Sequence, residues 1–167
     1  MQIISDKIEA ERKFLADVVG DMPECRKLEI FQTYLVRQNN ENNRIRRIVE
    51  NGNSLYIKTT KKAISEYERL EKEWQITPKE YDELMALADP DKQTIHKVRR
   101  CFPWDNRMLE LDTFITPQLP HCLLEIEDVA MDDIISFPPF LKIIDEVTKD
   151  VSYYNSNIAK QTKTRVQ

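Results

Sequence analysis

Four acidic pairs recur at a spacing of two along this 167-residue chain: Glu9-Ala10-Glu11, Glu71-Lys72-Glu73, Glu110-Leu111-Asp112 and Glu125-Ile126-Glu127. Two basic pairs share the spacing, Arg44-Ile45-Arg46 and Lys97-Val98-Arg99, and Thr59 and Lys61 repeat it. On a β-strand, residues two apart point to the same face. Around Leu109, Leu111, Leu124 and Ile126 the opposite face is apolar. Any one pair alone reads as a solvated sheet face. Six in one chain read differently if the strands close on themselves, because carboxylates and bases would then meet in one interior. Desolvating both signs of charge is costly without a ligand. A polyanion gripped by Arg and Lys, and bridged to a divalent cation gripped by carboxylates, answers both. Mg²⁺ and Mn²⁺ take hard oxygen ligands and share them with substrate phosphates. The arginine fork matches phosphate oxygens in pairs.

The elements that must position these pairs follow from the same alternation. Strands are predicted over 3–14, 31–38, 43–49, 54–62, 94–102, 107–115 and 122–128. Asn51-Gly52 marks a hairpin, since both residues tolerate positive φ. Residues 65–76 suit a helix by propensity and a strand by alternation. A short helix is expected within "PECRKLEIFQ" (23–32) and another at 131–136, before Pro138-Pro139. "TPKEYDELMALA" is a helix opened by a Thr77-x-x-Glu80 capping box with Pro78 in its first turn. Many short strands with few helices predict an α+β, mainly β fold, a sheet that closes or nearly closes. One domain is expected over 1–159, with a polar tail at 160–167.

Composition removes several function classes. The net charge of −4 argues against a general nucleic-acid or membrane-surface role. No run approaches the roughly 18 apolar residues of a membrane span, and the N-terminus is charged too early for a signal peptide. Three cysteines, an odd number without metal spacing, suit a reducing, cytoplasmic setting. Two glycines cannot build a Gly-rich phosphate loop. His96 and His121 need no metal role, Trp74 and Trp104 read as exterior packing, and Tyr153 and Tyr154 as packing for the C-terminal segment over a barrel mouth. The register of Arg37 leaves it facing either the interior or solvent.

The motif residues carry a family resemblance. "EAERK" is an intact Glu-x-Glu-x-Lys motif and resembles the signature of the CYTH domain, the triphosphate tunnel metalloenzyme superfamily. "RIRR…SLYIKTTK", "ERLEKEWQI", "HKVRR", "LELDTF" and "LLEIE" are similar, in order, to the family's successive charged strands. "PPFLKIIDEVTKDVSYYNSNIA" is similar to its closing segment. "ADPDKQTIHKVRRCFPWDNRMLELDTF" resembles the branch joined to an AAA-type ATPase, so an ATPase domain, in cis or in trans, is an implied partner. Thr33, Lys62 and Ser152 depart from common family residues, and none of these changes removes a motif charge.

The resemblance implies a closed antiparallel eight-stranded β-barrel, a tunnel open at both ends, and metal-dependent hydrolysis of inorganic tripolyphosphate or an organic triphosphate. Carried over residue by residue, Glu9, Glu11, Lys13, Glu71 and Glu73 are catalytic. Arg44, Arg46, Lys61, Arg69, Lys97 and Arg99 cradle phosphates. Glu9, Glu11, Glu110, Asp112, Glu125 and Glu127 are the candidate ligands of Mg²⁺ or Mn²⁺. An RNA 5′-triphosphate end is a less favoured substrate. A class IV-type adenylate cyclase and a non-catalytic triphosphate or nucleotide sensor are the alternatives. On the first strand, Ile8, Ala10 and Phe14 are expected to pack outward under helices, with Arg12 in solvent.

Overall fold

Nine strands, two α-helices and one 3₁₀ turn (Val151–Tyr153) are the regular elements of the described part of the chain, residues 2–65 and 68–160 of a computed structural model. The strands are β1 Gln2–Val18, β2 Arg26–Tyr34, β3 Asn42–Glu50, β4 Asn53–Ala63, β5 Glu68–Gln75, β6 Ile95–Trp104, β7 Arg107–Thr116, β8 Cys122–Glu127 and β9 Leu141–Glu146. Their order is β5-β4-β3-β2-β6-β7-β8-β1-β9, and β1 also pairs with β5. Eight strands thus close into an antiparallel barrel, and β9 is added outside it along Phe14–Val18 of β1. The length of β1 makes closure work: Gln2–Ala10 pairs with β5, and Glu11–Ala16 pairs with β8.

Local chemistry sets the corners. Asn51 and Gly52 turn the β3–β4 hairpin at φ 49° and 80°, and Asp105 and Asn106 turn the β6–β7 hairpin at φ 51° and 58°. The helix α1 (Pro78–Met85) carries the expected box, with Thr77 accepting from the Glu80 N–H and Glu80 accepting from the Thr77 N–H.

Two expected helices give way, and one open reading is settled as strand. The region 23–32 is strand β2 from Arg26 onward, because both its edges find partners, on β3 and on β6. The ambiguous 65–76 segment is strand β5, with residues 66 and 67 outside the description. The helix expected at 131–136 is a turn and irregular chain. There the Arg12 guanidinium donates to the carbonyls of Ala130 and Asp133, at 3.2 and 2.8 Å. Strand β9 carried no alternation signal and was not anticipated. Of the predicted tail, only Lys160 lies within the described residues, bridging to Lys92.

Much of the apolar core lies outside the barrel. Phe14, Leu109, Leu111, Leu124 and Ile126 face outward and are covered by Val129 and Leu141, with Phe137 and Phe140 against them. This cover is β9 and the preceding loop, where helices were expected. Leu35, Ile45 and Ile76 pack under Tyr81 of α1. Inside, one part of the barrel is filled by Ile95, Phe114 and Leu123 against Val147, Ala159 and the short helix α2 (Asn155–Ile158). The alternation that buries Leu109 and Leu111 outward turns Glu110 and Asp112 inward. No helix among the described residues is long and apolar enough to cross a membrane.

Candidate active site

The barrel interior contains a cavity of about 840 Å³. Its wall includes Glu9, Glu11 and Lys13 from β1; Arg44 and Arg46 from β3; Lys61 from β4; and Arg69, Glu71 and Glu73 from β5. Lys97 and Arg99 from β6, Glu110 from β7, and Glu125 and Glu127 from β8 complete the charged set. The motif charges converge because each strand sends every second side chain inward. Twelve cationic and nine acidic side chains line this cavity, a surplus of three positive charges in a chain whose net charge is −4.

The charges are paired in layers. Lys61 lies 3.0 Å from Glu9 and 3.3 Å from Glu71. Lys13 lies 3.4 Å from Glu11 and 3.8 Å from Glu125. Arg46 reaches Glu73 at 2.7 Å, and Thr59 donates to the same oxygen. Arg99 joins Glu110 and lies 3.4 Å from Glu125. Asp112, with no exposure, stands behind the wall: its oxygens accept from Arg99 at 2.7 and 2.8 Å, and one lies 2.8 Å from Lys97. Both oxygens of this expected metal ligand are therefore taken up in anchoring the two β6 bases.

Burial and crowding shift the titrations. The Glu11 carboxyl is pushed up to about 7, by burial first and then by Glu125, against the pull of Lys13 and Lys61. Glu110 is also raised to about 7, by burial, with Arg99 opposing and Glu125 and Glu127 reinforcing. Burial lowers Lys97 to about 8 although Asp112 holds its charge. Arg46 falls to about 10 through burial and the neighbouring Arg44, against Glu73. Burial opposes the charge of Arg44, but Tyr34, Glu71 and Glu73 outweigh it and raise its pKa.

Two features fit this interior to a bridged polyanion. The buried Nε atoms of Arg44 and Arg46 have no hydrogen-bond partner among the described residues, so two donors are held ready. Glu9, Glu11 and Glu127 each offer an oxygen, and the three oxygens lie within 4.8 Å of one another. This is the donor type that Mg²⁺ and Mn²⁺ prefer.

Several wall residues carried no clear signal in the sequence. Tyr34, Arg37, Lys92 and Thr148 line the cavity. Asn155 accepts from Lys97 at 2.9 Å. Tyr154, expected to cover a mouth, presents its ring to Lys13 at 5.4 Å and to Arg69 at 5.1 Å. The Tyr-x-Asn of the closing segment was the visible trace of Asn155; Lys92 sits on a loop whose geometry alternation cannot reveal.

The passage is divided. A second cavity of about 530 Å³, lined by Leu28, Ile48, Leu55 and Ile57, opens at the hairpin end. It shares Arg46 and Glu73 with the charged cavity, so their ion pair forms a septum between the two.

No protein-family model matches this sequence, and no curated protein is significantly similar to it. Solved structures are similar. A structure described as the hypothetical protein NE1496 shares 26% identity, covering 90% of this chain and 97% of its own, at a TM-score of 0.59. One described as the inorganic triphosphatase NE1496 shares 24% identity over 92% of this chain and 98% of its own, at 0.60. The PH1819 protein of Pyrococcus horikoshii shares 22% over 74% of this chain and 79% of its own, at 0.55. The barrel shares its fold with these structures. Within the barrel, every candidate catalytic, phosphate-binding or metal-ligating residue named from the sequence lines the cavity except Asp112, which braces it from behind.

Proposed function

We propose that the protein is a metal-dependent triphosphatase that hydrolyses inorganic tripolyphosphate, or the triphosphate of an organic ester, inside the tunnel. The observation that carries this reading is the convergence of two arginines with orphaned buried donors and a three-glutamate oxygen cluster on one cavity wall. An interior of paired charges is a poor source of stability, since well-packed apolar residues would serve as well. Its retention suits a ligand that exchanges these ion pairs for its own. The similarity to the inorganic triphosphatase supports the same reading.

Phosphoryl transfer calls for positioning and neutralisation more than covalent help. Arg44, Arg46, Lys61, Lys97 and Arg99 would hold the phosphates, with Lys13 contributing beside Glu11. Asp112 and Asn155 would fix Lys97 and Arg99 in place. Glu9, Glu11 and Glu127 would hold Mg²⁺ or Mn²⁺, which supplies charge withdrawal from the phosphate oxygens. Glu125, set between Lys13 and Arg99, would border that site. A wall carboxylate would orient a water against the terminal phosphorus. The water oxygen forms the new P–O bond, the bridging P–O bond breaks, and the electron pair leaves with pyrophosphate or the ester diphosphate. The proton passes to the carboxylate.

The resemblance to the AAA-linked branch makes an ATPase domain the expected macromolecular partner. Tripolyphosphate, ATP and thiamine triphosphate, each assayed with Mg²⁺ and with Mn²⁺, test the function. Phosphate release supports it; cyclic nucleotide with pyrophosphate from ATP would replace it with the cyclase, and binding without turnover with the sensor.

A further inference from the structure

The two ends of the charged cavity treat an anion differently. At the septum, Arg46 is already held by Glu73, and Glu73 also accepts from Thr59. Beyond it, Leu28, Ile48, Leu55 and Ile57 offer no hydrogen bonds to an anion, and the other neutral lining residues, Asn51, Asn53 and Ser54 of the hairpin, carry no charge. The cation at that end, Arg26, is committed to Glu50 through bonds of 2.6 and 2.8 Å. A phosphate pushed past Arg46 would be desolvated against this apolar lining with no uncommitted cation to receive its charge. The terminal phosphate of a linear chain must therefore stop at the septum.

The opposite wall has a surplus of positive charge. Arg37, Lys92 and Lys160 line the cavity together, and Lys92 and Lys160 are bridged through their backbones. Among the described residues Arg37 and Lys160 form no ion pair, and Arg37 makes only a long bond of 3.5 Å to the Asn40 carbonyl. Lys92 lies over the Tyr34 ring at 5.0 Å and touches Asp89 only at 4.0 Å. Asp89 and Glu41 are the acids on this wall, and one Asp89 oxygen is occupied by the Asp91 N–H. Burial, and then the nearness of Lys160 and Arg37, lower the Lys92 pKa despite Asp89. Three mutually repelling cations at a mouth are stabilised by an anion between them.

We propose that Arg37, Lys92 and Lys160 form an outer phosphate subsite that receives the phosphates of a linear polyphosphate beyond the three held inside the tunnel. This rests on the tunnel binding a triphosphate, as proposed above. It makes linear polyphosphates longer than three units ligands of the same site, extended in one direction only.

The test is calorimetric binding of tripolyphosphate and tetrapolyphosphate in EDTA, where no metal-dependent turnover occurs and the result is independent of catalysis. The native chain should bind the longer anion about five-fold tighter, the scale of a few partly exposed charge contacts. The Arg37→Ala/Lys92→Ala variant should bind both equally while keeping native affinity for tripolyphosphate. Because Lys92 packs on Tyr34, Lys160→Glu provides a second variant that touches no core residue and should also remove the preference. Equal loss for both chains would overturn the proposal in favour of general electrostatic attraction, and a preference that survives both variants would overturn it outright. A subsite for free orthophosphate would show as a native-against-variant difference in orthophosphate binding with no difference between the two chains, which also overturns it. Failure of the native protein to bind tripolyphosphate in EDTA, together with no phosphate release from it in Mg²⁺ or Mn²⁺, would sink the triphosphatase reading instead.

Discussion

The two faces of β1 do opposite work with similar residues. Inward, Glu9, Glu11 and Lys13 are buried among charges and meet Lys61, Glu125 and Glu127 across the cavity wall. Outward, Arg12 is equally buried, yet its partners are fixed: the Glu146 carboxylate of β9 and the carbonyls of Ala130 and Asp133. The inner face holds charges that a ligand can re-pair. On the outer face Arg12 has a partner at each of its three guanidinium nitrogens, tying the 128–140 loop and β9 onto the barrel. Burial of a charge therefore does not separate chemistry from architecture; the number of donors left unclaimed does.

Glu11→Gln should break the inner face alone. It preserves size and removes one oxygen charge from the three-glutamate cluster. Metal-dependent phosphate release from tripolyphosphate should fall by about a thousandfold, the scale of several kcal/mol of charge stabilisation, with the circular-dichroism melt retained. Unchanged turnover would remove Glu11 from the site. Arg12→Ala should break the outer face alone. Leaving Glu146 and two carbonyls without their donor should cost about 3 kcal/mol in urea unfolding, while the surviving folded fraction keeps its KM for tripolyphosphate. A large change in KM with stability intact would show that the outer strap shapes the tunnel.

Arg46→Ala should have a smaller effect than either. It removes one of several phosphate contacts and opens the septum. KM for tripolyphosphate should rise about tenfold, the worth of one charge-assisted hydrogen bond, with kcat less affected. A normal KM would place the phosphates away from the septum.

How much of this was legible from the sequence depends on which interactions repeat. The cavity wall was legible because alternation is a period-two signal that seven of the eight barrel strands wrote with charges; the count of the strands and their full closure came from the family resemblance. Arg12 was misjudged as a solvent-exposed charge because its partners lie 118 or more residues away, as at Ala130, on a loop and a strand with no pattern of their own. The same limit hid β9, which exists because β1 offers it an edge. The helix expected at 131–136 failed for a related reason, since Arg12 claims backbone carbonyls there. Lys92 and Asn155 reach the site from loop and helix positions, where spacing carries no information on facing. Asp112 shows the finer limit: its inward face was readable, but whether its oxygens met a metal or two bases was decided by depth along the barrel.

The mildest perturbation is pH, and it acts on the inner face without touching a residue. Glu11 carries a folded-state pKa of about 7 against 4.5 for an unconstrained carboxyl. A group raised in this way favours the metal-free folded state most below pH 4.5, and that contribution is lost as pH rises through 7. Metal binding requires the carboxylate, so each ion bound below pH 7 must displace a proton from Glu11. Affinity for Mn²⁺ should therefore weaken about tenfold per pH unit below 7 and level off above it. In thermal melts the stabilisation by Mn²⁺ should be larger at pH 8 than at pH 6, whereas the metal-free protein should lose part of its stability over the same rise. Glu11→Gln should flatten the pH dependence of metal affinity in this window. If the slope survives in that variant, the titrating ligand is a different carboxyl, and Glu110, also raised to about 7 and two strands along the same side of the barrel, becomes the residue to replace next.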